Sequence, residues 1–467
     1  MGDIWSGFRR KQTVKPAIKL ANDNPWYCLA TIHGEQPIEG FDDGVARQNG
    51  QVWSRWVGRA LNAEGDERAE FERNFANRTG GSLEIPDPDA IVDFSNTHFA
   101  RPVNFFDFQF PRAVDFRSAT FAGEANFTNA NFSSKADFTS ATFSGDANFS
   151  RAQFNTVGVD FQSVTFSKKA VFQYALLVDS NFSSVTFSDH ANFTGARFFG
   201  TLRADFLSAM FSGVTDFGSA MFNVEANFCS AIFFGAASFL SAKFRKTADF
   251  SAARFLSSIQ FDDATFEART IFAGAHFKGQ VPDFRGATMH AATEWHDAIW
   301  PKPPWRKKAA QQQVYAYERL KQEMEQLKKH EDEQKLFRRE LRARRRLLWT
   351  HPGEWLLNVV YQALSDYGNS WKRPLFCLIG IIAVGAAIFA RAPLYCEAPM
   401  PITLATRLSL ANVFLFLPDK REMVMSPQTA ECLLNPTLQA ISTAQSLLGV
   451  VLLFLLGLAL RNRFRMR

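Results

Sequence analysis

Phenylalanine falls at Phe116, Phe121, Phe127, Phe132, Phe138, Phe143, Phe149 and Phe154 in steps that alternate five and six residues. The alternation resumes at Phe206, Phe211, Phe217, Phe222, Phe228 and Phe233 and runs on to Phe277. Neither a helix, repeating every 3.6 residues, nor a strand, repeating every 2, can hold such a series on one face. A coiled chain can. Two positions before most of these rings stands a small residue, as at Ala125, Ala130, Ala136, Ala141 and Ala147, with a polar residue between the two. In a short extended segment the small residue and the Phe share one face and the polar residue takes the other. The spacing therefore predicts short segments joined by corners, four to a coil of 22 residues, with columns of Phe and Ala inside. From Phe94 to Trp300 this makes roughly nine coils stacked at about 4.8 Å, a rod on the order of 45 Å long. Composition agrees: the chain has 49 Phe but only 7 Tyr in 467 residues, a bias that ordinary core building does not produce.

The unit, small-polar-Phe-polar-polar, resembles that of the pentapeptide-repeat family in its Phe-rich form. The resemblance implies a β-solenoid, specifically a right-handed quadrilateral β-helix, over residues 91–300. Register slips between Phe154 and Phe161, Leu177 and Phe182, Phe198 and Phe206, and Phe277 and Phe284, where bulged corners are expected. Met289, Trp295 and Trp300 carry the ladder onward with bulkier residues suited to a closing coil. Some members of the family imitate DNA with a strongly acidic rod. Between Phe94 and Trp300 this chain has 18 acidic and 16 basic side chains, a near-neutral surface that argues against that role.

The flanking regions differ. Residues 1–90 lack a long repeat, but Val52, Trp53, Trp56, Val57, Ala60 and Leu61 form one helical face, predicting a small helical cap. Met1-Gly2 with Ser6 matches a myristoylation pattern too short to decide anything. Pro301 to Trp305 breaks the ladder, and residues 301–349 turn rich in Lys, Arg, Gln and Glu. There Tyr317, Leu320, Met324 and Leu327, then Phe337 and Leu341, predict a long basic helix with a short coiled-coil-like seam. Its end carries Arg342, Arg344, Arg345 and Arg346, for which anionic lipid headgroups are expected as partners in preference to nucleic acid.

Residues 350–467 read as a membrane module. Trp355, Leu356, Val359, Val360, Ala363, Leu364, Tyr367 and Trp371 form an amphipathic stripe suited to a helix in the interface. Pro374 to Ala390 is uncharged for 17 residues and Cys432 to Leu460 for 29. Each is long enough to cross a bilayer core of about 30 Å, the first only just. Nine Lys or Arg lie between Lys335 and Arg373 and four more in the tail at Arg461, Arg463, Arg465 and Arg467, against four in the 41-residue connection. That asymmetry predicts two spans with both termini cytoplasmic. The stretch LSDYG at Leu364 to Gly368 and the ending LGLALRNRFRMR resemble a C-terminal module joined to such repeats in bacterial membrane proteins, which implies the bacterial inner membrane.

No catalytic, cofactor-binding or metal-binding constellation stands out: there is no phosphate loop, no dinucleotide glycine pattern, no His-Glu-x-x-His and no nucleophile elbow. Asp115, Asp137, Asp160, Asp205, Asp216 and Asp249 recur through the rod, but each occupies the outward slot before a ladder Phe, where a carboxylate can accept from backbone donors at a corner. His290 and His296 read as surface residues. Five cysteines without a Cys-x-x-Cys exclude a disulfide-dense scaffold. Cys28 and Cys229 read as cytosolic and Cys377 lies in the first span. Cys396 and Cys432 flank the connection on the oxidising face and either form a disulfide or remain two thiols.

Two functions fit these features. One is a non-catalytic, membrane-anchored scaffold whose rod displays its surface to a cytosolic protein. The alternative is a two-span, pore-loop, channel-like homo-oligomer with the rod as cytosolic domain and Leu404 to Leu417 as pore helix. LFLPDK stands where a potassium filter would read Thr-Val-Gly-Tyr-Gly, so that filter is missing. Gln439, Ser442, Thr443 and Ser446 share a face of the second span and serve either reading, as pore lining or as packing against the first span, helped by Gly380 and Gly385.

Overall fold

The computed structural model describes residues 18–61, 65–155, 158–391, 400–414 and 435–465. They fall into two compact units, Met1–Lys302 and Pro303–Arg467. Met1-Gly2, Cys396 and Cys432 lie outside the described residues.

The first unit is a β-solenoid. Most repeats give a two-residue strand, such as Ala125–Asn126 and Asn131–Phe132. Equivalent strands of successive coils pair in parallel and in register, Ala136 beside Val114 and Phe143 beside Phe121. Four columns result. Along one coil they are entered at Phe94, Phe99, Phe105 and Phe110, and are numbered here in that order. The third and fourth columns hold eight strands each, so the rod has about eight full turns. The second holds ten, nine from the coils, the last being His276–Phe277, and one from Lys19–Leu20 of the N-terminal segment, which pairs with Thr97 and His98. The first is split into two halves of four strands, joined by bridges from Asn181 to Asp160 and to Asp205.

The alternation of five and six is an alternation of two corners. A five-residue step turns on a residue with left-handed backbone two positions after a ladder Phe, as at Ser118 (φ 56°), Asn129 (φ 59°) and Ser140 (φ 59°). The following amide closes a type II turn, Ala119 N donating to Phe116 O at 3.0 Å. The outward Asp or Asn before the Phe caps it: Arg117 N donates to Asp115 Oδ1 at 2.9 Å and Thr128 N to Asn126 Oδ1 at 3.0 Å. Six-residue steps bring the backbones of successive coils into close approach instead, and a Cβ at Gly145 would overlap the backbone at Gly123.

Inside, the small residue and the Phe are both buried, as Ala125 and Phe127 are, while Asn126 between them is half-exposed. Rings stack along a column, Phe116 on Phe138 at 4.6 Å and 9°, and meet edge-to-face between the first and third columns, Phe116 to Phe127 at 5.7 Å and 88°. Both arrangements are favourable for aromatic quadrupoles. Helices α1 (Pro25–Ala30), α2 (Asp43–Val57) and α3 (Asp66–Thr79) cover the first coil. Trp53 of α2 packs on Phe108 and Phe110, and its Nε1 donates to Gln109 O at 2.7 Å. At the far end Trp295 stacks on Phe272 at 4.4 Å, closing the ladder with a larger ring.

The second unit is helical: α4 (Lys307–Gln326), α5 (His330–Arg344), α6 (Pro352–Ser365), α7 (Lys372–Ala390), α8 (Ile402–Val413) and α9 (Pro436–Arg465). The stretch expected as one long helix is two. Lys328 takes a left-handed conformation (φ 58°) and ends α4, and α5 returns antiparallel to it. Lys321 Nζ and Glu340 Oε2 lie 2.6 Å apart, and Arg344 reaches back to Glu318. The apolar seam of Tyr317, Leu320 and Met324 is buried within this hairpin. Helices α7 and α9 are each long and apolar enough to cross a membrane.

Candidate functional site

Three of the four register slips stand one above another. The steps from Phe154 to Phe161, Leu177 to Phe182 and Phe198 to Phe206 are seven, five and eight residues, and all three are corners between the fourth column and the first. The short corner thus lies between two long ones, with Asp179, in left-handed conformation (φ 45°), at its bend. The Asp179 carboxylate accepts from Thr201 N at 2.8 Å and Leu202 N at 2.6 Å, fixing the eight-residue corner to it. A surface cavity of about 710 Å³ opens beside this corner, lined by Ser180, Asn181, Arg203, Asn223, Glu225 and Lys246 among others. Ser180 is 2% exposed. Its Oγ and Asn223 Oδ1 are buried without a hydrogen-bond partner. Elsewhere the outward Asp residues do what a corner needs, as Thr139 N to Asp137 and Ser251 N to Asp249 illustrate. His290 is exposed and its Nδ1 accepts from Ala292 N at 3.0 Å; His296 is exposed beside Glu294.

A second polar site ties α7, α8 and α9 together. Helix α8 begins beside Phe389 and Leu438 and ends beside Leu378, Gly449 and Leu452, so it runs about half the length of its two neighbours. Its Ser409 and Asn412 are fully buried. Ser442 Oγ of α9 donates to Asn412 Oδ1 at 2.9 Å, and Asn412 Nδ2 donates to Gln445 Oε1 at 3.2 Å. Gln445 Nε2 donates to Ser409 and to Ile381 O of α7 at 3.1 Å, and Ser409 Oγ donates to Ile382 O at 2.8 Å. Gly385 makes this possible, since a Cβ there would lie 2.7 Å from Ser409 Oγ and press on Gln445.

Of the four residues placed on one face of this helix, Ser442 hydrogen-bonds to a neighbouring helix. Gln439 and Thr443 are exposed, and Thr443 and Ser446 bond to carbonyls of their own helix. The buried face instead follows Leu438, Gln445, Leu452, Leu455 and Ala459. Among the described residues nothing outside its own helix backbone lies within 4 Å of a Cβ at Gly380. Ser409, Asn412 and Gln445 were not on the expected face. Their signal was an i, i+3 polar pair inside an apolar segment, with a lone Gln opposite.

The arginine run is tied to other parts of the helical unit while staying partly exposed. Arg342, with Arg338, grips Asp366, both at 3.1 Å. Arg344 pairs with Glu318 and Glu340, the latter 3% exposed. Arg345 donates to Asn358 Oδ1 at 3.0 Å, to Tyr367 Oη at 2.6 Å and to Gln362. Arg346 lies 4.0 Å over the Trp305 ring. Burial pushes the Tyr367 hydroxyl above its ordinary pKa, with Arg345 opposing. The LSDYG stretch is the bend that receives these contacts: Asp366, Tyr367 and Gly368 are all left-handed, and Asn462 Nδ2 of α9 donates to Gly368 O at 3.1 Å.

Residues 105–153 and 127–176 match a family model described as pentapeptide repeats (9 copies). This stretch is made of pentapeptide repeats. The match lies within the columns of stacked rings, and past the irregular corners at Leu177 to Phe182 and Phe198 to Phe206 the alternation of two corners resumes to Phe277. No curated protein and no solved structure matches the chain. Among the described residues no three His, Cys, Asp or Glu side chains are grouped as metal ligands. The pentapeptide corners account for the recurring carboxylates.

Proposed function

We propose that the chain is a non-catalytic scaffold of the bacterial inner membrane, with both termini cytoplasmic, α7 and α9 as its two spans and the pentapeptide rod presented to a cytosolic protein. The observation that carries the reading is the stack of three irregular corners. A regular ladder repeats one surface on every coil, so a partner needs a departure from it to find a single register, and the cavity beside Ser180 and Asn223 supplies one. A photo-crosslinking residue placed at Leu202, on the lip, should capture a cytosolic protein in living cells. One placed at Thr142, on a regular coil, should capture none. Equal capture at both positions would remove the reading.

A second reading has its own support. Helix α8 spans about 18 Å at 1.5 Å per residue, too short to cross a bilayer, and ends midway along α7 and α9 as a pore helix would. Against it, the polar groups of Ser409, Asn412, Ser442 and Gln445 satisfy one another rather than facing a path. The protein in planar bilayers should show no conductance. Single-channel currents abolished by Ser442→Leu would put the pore reading first.

A further inference from the structure

The sequence holds two basic clusters near the membrane helices, and the structure separates them. Arg342, Arg344, Arg345 and Arg346 are occupied by Asp366, Glu318, Glu340, Asn358 and the Trp305 ring. Lys372 and Arg373 at the start of α7, and Arg461 and Arg463 near the end of α9, are exposed, and none has an acidic partner among the described residues. They surround one bend. Arg373 Nη1 donates to Gln362 O at 3.0 Å, Arg461 acts electrostatically on Tyr361, and Arg463 lies 5.7 Å over the Trp371 ring.

The helix leading into this bend is inverted. In α6 Asn358 and Ser365 are buried, whereas Leu356 and Leu357 are 55% and 70% exposed and Val360 is also exposed. Such a helix suits a surface that is apolar on its outer side and polar at its rim, which is the boundary between acyl chains and headgroups. An apolar face beside four exposed cations that have no acidic partner among the described residues fits one ligand chemistry.

We propose that the α6–α7 bend and the last turns of α9 form a binding site for the phosphate of an anionic lipid headgroup, held by Lys372, Arg373, Arg461 and Arg463. The proposal rests on the reading that α7 and α9 cross a membrane. Arg342 and Arg345 take no part, because their guanidinium groups are committed to Asp366 and to Asn358 and Tyr367.

The test uses the full chain. Extraction of cell membranes with alkaline carbonate first establishes residence: protein released by carbonate overturns the membrane reading and the site with it. Protein that stays is purified in non-ionic detergent and offered phosphatidylglycerol or phosphatidylcholine, with retained lipid counted by native mass spectrometry. Phosphatidylglycerol should be retained preferentially. With Lys372→Gln, Arg373→Gln, Arg461→Gln and Arg463→Gln combined, the preference should fall by about tenfold or more, at several-fold per basic residue. Arg373→Lys, Arg461→Lys and Arg463→Lys together should keep it, and a helical melt unchanged from the parent shows that each variant folds. If the fourfold variant does not fold, the two paired variants, at Lys372 and Arg373 and at Arg461 and Arg463, carry the comparison. Equal retention of both lipids, or a preference that survives the fourfold change, overturns the site while leaving the membrane reading standing. Displacement of the lipid by millimolar inorganic phosphate would reassign the site to a free anion and overturn the lipid assignment.

Discussion

The rings of Phe121 and Phe143 lie 4.4 Å apart at their centroids with planes 1° from parallel, and Phe143 stacks in turn on Phe166 at 4.9 Å. Each ladder ring is therefore held by the coil before and the coil after, and its removal leaves a void that neither can fill. Phe143→Ala should cost about 3 to 5 kcal/mol. Thr142→Ser, on the outward slot next to it, should stay within about 0.5 kcal/mol. Chemical unfolding of the full chain in detergent, followed by the β-sheet signal, compares them; equal losses would contradict a core made of rings.

Ser140 holds a left-handed conformation at φ 59° in a five-residue corner. A β-branched side chain resists that conformation most. Ser140→Val should lower stability by about 1 to 2 kcal/mol, and Ser140→Gly should be close to neutral, since relief of strain is offset by the flexibility of glycine in the unfolded chain. The melting temperatures of the two variants check the order.

Burial raises the carboxyl pKa of Asp160, and the charge of Asp137, its partner one coil away, adds to this, while the Gln162 amide, Lys135 and Asn181 oppose. A carboxyl whose folded pKa lies above its unfolded one binds its proton more tightly in the folded chain. Stability is then lost as pH rises through that range. Asp160→Asn keeps an oxygen for the Gln162 amide, now 2.9 Å away. It should stabilise the protein near pH 7 by a few tenths of a kcal/mol, up to about 1 after solvent screening. The gain should vanish near pH 3, below the unfolded pKa. A gain independent of pH would exclude the charge as its cause.

Asn412 joins Ser442 to Gln445 in the buried polar site. Asn412→Leu should destabilise the helical unit by about 1 to 2 kcal/mol, because it leaves both partners unanswered. Adding Gln445→Leu should recover part of the loss. A double-mutant cycle in mixed micelles measures the coupling, and simple additivity would argue against a shared network.

Both ends are expected in the cytoplasm. A fluorescent protein that folds only in the cytosol should light up when fused after Arg467, and alkaline phosphatase fused there should stay inactive. The reverse pair of results would turn the hairpin over.

The rod was legible because a step of five or six leaves a chain few alternatives: once Phe116, Phe121 and Phe127 share a face, a corner must follow each. The break in residues 301–349 was not legible, because Lys328 is neither Gly nor Pro and helical spacing holds on each side of it, in Leu320, Met324 and Leu327 and again in Phe337 and Leu341. The fate of Arg342 to Arg346 was hidden for a different reason. Their partners, Glu318, Asn358 and Asp366, come from three elements, and only tertiary structure brings them into reach. The part of α9 that meets α8 includes Gln445 beside Ser442, because Asn412 of α8 bonds to both, and that partner is brought to α9 only by the tertiary fold.

The corners between the fourth column and the first differ by up to three residues from coil to coil, yet Phe182 still stacks on Phe206 at 4.9 Å and 3°. Length added at a corner leaves the ring stack in place, although the strand ladder of the first column is interrupted beside it. The outline of such a molecule can therefore drift independently of its interior, as the teeth of a key can be recut without altering the blade, and new surface can be tried on one coil at a time without refolding the rest.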